Sequence, residues 1–82
     1  MKYRLVLTED ATKAKLENVE FETEDYGELT LYCISKIPTY AGWQAYGLLN
    51  TPEGETFLIY KIFDNDNNTL GFILNDVLSD DE

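Results

Sequence analysis

Apolar and polar residues alternate along much of the chain, and the alternation marks strands. From Lys2 to Leu7, Tyr3, Leu5 and Leu7 fall on one side and Lys2, Arg4 and Val6 on the other, the period of two of a strand with one face in a core. Residues 9–17 break that pattern. They lack glycine and proline, and Ala11, Ala14 and Leu16 make a thin apolar stripe, compatible with a short helix. From Asn18 the alternation resumes, with Val19, Phe21 and Thr23 opposite Glu20, Glu22 and Glu24, ahead of the turn-like Asp25-Tyr26-Gly27. Residues 28–35 then set Leu29, Leu31 and Cys33 against Thr30, Tyr32 and Ile34, apolar on both faces. The pattern predicts a hairpin whose second strand lies centrally in a sheet.

Pro38 interrupts the next stretch, and residues 39–50 fit either helix or strand by composition. Gly42 and Gly47 argue against a helix, at about 1 kcal/mol each relative to alanine. Thr51-Pro52-Glu53-Gly54 then puts proline second and glycine fourth, as a type I turn prefers. A hairpin is the consequence, with a partner strand over 55–63 in which Phe57 and Ile59 alternate with Leu58, Tyr60 and Ile62. The polar run Asp64-Asn65-Asp66-Asn67-Asn68 returns the chain into a last strand, residues 69–74.

These elements predict a mainly β domain, a small twisted antiparallel meander or partly closed barrel of five to six strands. The alternative is an α+β fold with one short helix near residues 9–17 packed on the sheet. Eighty-two residues suffice for one core, taken as residues 1–75, with 76–82 an acidic tail that frays.

Composition removes several kinds of chemistry. The chain has no histidine, hence no imidazole base and few routes to a zinc site. Its one cysteine, Cys33, forms no intrachain disulfide and sits among apolar residues with no base nearby, so it reads as a buried, inert thiol. No glycine-rich phosphate loop is present. Sixteen carboxylates make a two-carboxylate hydrolase site formally possible, but no pair is singled out. Asp64, Asp66 and Asn68 mimic the opening ligands of a calcium loop, yet Thr69 stands where its glycine belongs and Asn75 where its bidentate glutamate belongs. The expectation is no catalysis, no metal and no cofactor. The first apolar run stops after three residues, too short for a signal peptide, and no stretch spans a bilayer, so a cytoplasmic location is expected.

What remains is charge. Sixteen acids against six bases give a net charge of −10, and Glu17, Glu20, Glu22, Glu24, Asp25 and Glu28 fall together without an intervening base. On a strand, Glu20, Glu22 and Glu24 would stand about 6.6 Å apart on one face, a spacing reminiscent of a phosphate backbone. Direct binding of nucleic acid or an anionic membrane would meet repulsion, whereas a protein with a basic surface would be attracted. The expected function is therefore a non-enzymatic acidic binding protein, an inhibitor or nucleic-acid mimic that covers a basic surface. Its partner-binding residues are taken as Glu20, Glu22, Glu24, Asp25, Tyr26 and Glu28, with Tyr40, Trp43 and Tyr46 as further aromatic anchors. Two bland alternatives stand beside this. The glutamates can be the solvated face of a half-buried strand, partly neutralised by Lys2 and Arg4. The chain can also be a structural module that docks another subunit through a sheet edge or an aromatic face.

Overall fold

A computed structural model describes residues 2–76. Five strands form one open antiparallel sheet: β1 (Tyr3–Val6), β2 (Phe21–Thr23), β3 (Tyr40–Asn50), β4 (Thr56–Asp64) and β5 (Thr69–Asn75), in the order β2-β1-β5-β4-β3. The three C-terminal strands make a meander, and β1 lies between β5 and β2. The sheet has two edges and does not close into a barrel. The single α-helix among the described residues, α1 (Tyr26–Lys36), connects β2 at one edge to β3 at the other and so crosses one face.

The meander arises from its turns. Gly54 N–H donates to the Thr51 carbonyl at 3.0 Å, closing the expected turn, and Asn50 pairs with Thr56 beneath it. Between β4 and β5 the Asp64 carboxylate accepts the backbone N–H groups of Asp66 and Asn68 at 2.9 and 2.8 Å, while Asn67 takes the left-handed conformation at φ 68°. The close approach of β5 to β1 requires glycine at position 71, because a Cβ there would meet the Val6 carbonyl oxygen at 2.6 Å. Side chains of the sheet are buried on both faces. On the helix side, Leu5, Ile62 and Ile73 pack against Leu29 and Cys33. On the other side Val6, Phe57, Ile59, Phe72 and Leu74 are covered by Ala14 and Val19.

Three local expectations give way. Residues 28–35 are not a central strand but the body of α1, and no hairpin joins them to Phe21–Thr23. Asp25 caps the helix by accepting from Gly27 N–H at 2.8 Å and Glu28 N–H at 3.3 Å, which makes helix the better state for the residues beyond it. Residues 9–17 form no α-helix. They hold a 3-10 turn at Ala11–Lys13 and the start of another at Leu16–Asn18, because three scattered apolar residues give no stripe to bury, and only Ala14 reaches the core. Val19 does not share a face with Phe21. It packs beneath the sheet, whereas Phe21 stacks on Tyr32 of the helix at 4.0 Å, since the chain swings from the lower layer to the sheet edge between them. Asp76 of the expected tail belongs to the fold, accepting the Lys2 backbone N–H at 2.8 Å; residues 77–82 lie outside the described residues.

Candidate protein-binding surface on the helix and its acidic shoulder

The six residues selected from the sequence part company in the fold. Only Glu22 lies within β2, so no ladder of three carboxylates along one strand forms; Glu20 precedes the strand and Glu24 comes after it. Glu22 projects from the face opposite the helix. Its carboxylate is bonded to the Lys2 ammonium at 2.9 Å and sits across from Arg4 in the ladder. That contact with Lys2 holds the Glu22 carboxyl below the ordinary glutamate range. Cross-strand neutralisation, the bland alternative, therefore holds for this residue. Glu20 is anchored by its backbone, donating to the Leu5 carbonyl at 2.7 Å, and leaves its side chain exposed.

Glu24, Asp25, Tyr26 and Glu28 stay together, at the N-terminal shoulder of α1. The Thr23 hydroxyl ties this corner down: it accepts the Asp25 N–H at 3.0 Å and donates to the Glu28 carboxylate. Asp25, Tyr26, Glu28, Thr30 and Leu31 line a shallow depression there. Lys2 is bonded to Glu22, and Arg4 lies 3.7 Å from Asp76 and against the Phe57 ring. Tyr26 is 48% exposed, its ring resting against Trp43 at 5.4 Å and Tyr3 at 6.1 Å, so it is held at the surface rather than loose. Trp43 in turn meets Tyr60 edge-on at 4.5 Å. Of the three other aromatic anchors, Trp43 and Tyr40 are partly buried against the core, and Tyr46 is 55% exposed on the opposite side, against Phe72.

Two residues of this surface escape the strand pattern. With α1 helical, Leu29 and Cys33 turn inward at a spacing of four, and Leu31 and Ile34 turn outward, 65% and 57% exposed. A helix packed on a sheet ordinarily keeps its outer face polar, so these two make an apolar ridge that the fold itself does not use. The spacing of four between Leu29 and Cys33, with the Asp25-x-x-Glu28 capping signature ahead of it, is the signal that finds them.

Burial pushes the Cys33 thiol up to about 11, which leaves it protonated and unreactive at neutral pH. Asp64, first residue of the calcium-like run, has its carboxylate occupied by its own turn, and the hydrogen bonds from Asn68 lower its pKa. No group of three or more potential metal ligands occurs among the described residues, and none of their helices is long and apolar enough to cross a membrane. Comparison of the chain with protein-family models, with curated proteins and with solved structures found no match.

Proposed function

We propose that the chain is a non-enzymatic binding protein that covers a basic surface of another protein, engaging it with the outer face of α1 and the acidic shoulder at its start. The observation that carries this is the exposed pair Leu31 and Ile34 on the outer face of α1, with Leu31 bordering the depression that Asp25, Tyr26 and Glu28 line. Magnitudes divide the labour between them. Fully covering a leucine or isoleucine is worth on the order of 1.5–3 kcal/mol, whereas an exposed ion pair yields roughly 0.2–1 kcal/mol. The ridge thus supplies affinity, and the carboxylates, within a net charge of −10, supply attraction and orientation. The absence of histidine from the chain and the raised pKa of Cys33 support a role without catalysis.

An inhibitor that blocks a nuclease or another nucleic-acid-binding protein is the form of this function that best suits the charge. It rests on overall charge and on the shoulder, not on a row of evenly spaced carboxylates. Retention of basic proteins on the immobilised chain tests it. A specific partner is held at low salt and released as salt rises, and Leu31→Asp with Ile34→Asp abolishes retention while the circular dichroism stays that of the native chain. Equal retention by the unaltered and doubly substituted chains would show that α1 is not the contact.

A further inference from the structure

The two edges of the sheet are unlike. β2 ends one side with three residues, one of them the ion-paired Glu22. β3 ends the other with eleven, Tyr40–Asn50, none of them charged and none proline, in a chain of which 27% is charged. Among the described residues no strand pairs with its outer side. Natural sheets protect such an edge by shortness, charge, proline or bulges, because its unpaired N–H and C=O groups are a template for another strand. β3 has bulges alone, where the ladder shifts between Tyr40 and Gly42 and between Ala45 and Gly47. The stretches Gly42–Ala45 and Gly47–Asn50 between them keep regular pairing to β4, and so present a regular outer side.

Carboxylates bracket this neutral edge. Beyond Asn50 the hairpin carries exposed Glu53 and Glu55, which line an open groove together with Leu16, Leu49 and Pro52. Glu17 and one base, Lys15, also border that groove. At the other end Tyr40 pairs with Asp64, and Asp66 is exposed in the turn beyond. At most about 33 Å of uncharged strand thus has acids at both ends.

We propose that β3 accepts an extended segment of a partner protein as a sixth strand, the segment being uncharged through its middle and carrying lysine or arginine at both ends. Main-chain hydrogen bonds give such an added strand its affinity, and flanking contacts give it selectivity. At the hairpin end the groove suits a long basic side chain, its aliphatic stem on Leu16, Leu49 and Pro52 and its charge near Glu53 and Glu55. A second copy of this chain is the poorer occupant. Antiparallel pairing of two β3 strands about a twofold axis sets Glu53 and Glu55 of each copy toward Asp64 and Asp66 of the other, and like charges so placed repel. The site is on a different element from the exposed Leu31 and Ile34 of α1, although Tyr26 touches Trp43 of β3, and it does not depend on the function proposed for that helix face.

The test titrates the isotope-labelled full chain with a short synthetic peptide of alternating valine and threonine bearing a pair of lysines at each end. Backbone amide signals of residues 40–50 shift, their outward N–H groups gain protection from hydrogen exchange, and glutamates in place of the lysines weaken binding by about tenfold or more. Glu53→Lys, Glu55→Lys and Asp66→Lys together invert that preference. The proposal is overturned if the shifts fall on α1 with β3 unmoved, if binding ignores the charge of the peptide ends, if no binding occurs, or if β3 is already protected in a dimer of the free chain.

Discussion

Cys33 shows how much one residue's meaning depends on its surroundings. Its thiol is 1% exposed and held protonated by burial, with a pKa raised to about 11. Because the raised value favours the neutral thiol in the fold, the stabilisation is complete below the ordinary thiol range and declines as pH rises toward 11. At neutral pH, alkylation of Cys33 by iodoacetamide should therefore be slow in the native chain and become fast only in denaturant; prompt native labelling would mean that α1 does not cover it. The inert thiol was legible in the sequence, since an isolated cysteine among apolar residues is a core residue in strand and helix alike. Leu31 was not. Whether it joins Cys33 inside or faces away from it turns on the period, two or 3.6, and the composition of residues 28–35 fits both.

At the scale of elements, the C-terminal meander was readable because its turns are chemically explicit. Thr51-Pro52-Glu53-Gly54 and Asp64 to Asn68 each form the local hydrogen bonds their residues favour. For residues 39–50, open between helix and strand by composition, Gly42 and Gly47 weigh against a helix and the turn that follows favours the strand that forms. The N-terminal half offered weaker punctuation. Asp25-Tyr26-Gly27 resembles a hairpin turn, yet the Asp25 carboxylate bonds Gly27 and Glu28 N–H groups and starts a helix. Glu28 completes the pattern through Thr23 rather than by reaching back to the cap. Asp25→Ala removes that cap and should lower stability by about 1 kcal/mol, within the usual 0.5–2 kcal/mol. Chemical denaturation measures the loss, and an unchanged midpoint would mean that the helix does not depend on its cap. The same element carries most of the proposed surface, so a pattern that reads α1 as a strand hides Leu31 and Ile34, and it sets Glu22 in a row of carboxylates where the fold pairs it with Lys2.

The whole molecule joins an ordinary core to an unusual surface. Among the described residues, α1 packs on one face of the sheet and Ala14 and Val19 pack on the other. Among the described residues, the most exposed large apolar side chains belong to α1, with Leu31 and Ile34, and to β3, with Tyr46 and Leu48. Overall charge and the β-rich class were legible from composition and alternation, whereas the meeting of charge with apolar surface required knowing which residues are helical. Binding through the ridge of α1 is best checked by following the methyl signals of Leu31 and Ile34 as a retained basic partner is titrated into the labelled chain. Both methyls and the Tyr26 ring should shift together, and added salt should reverse the change. Saturating binding that leaves these three side chains unmoved would place the contact elsewhere and refute the role given to the helix.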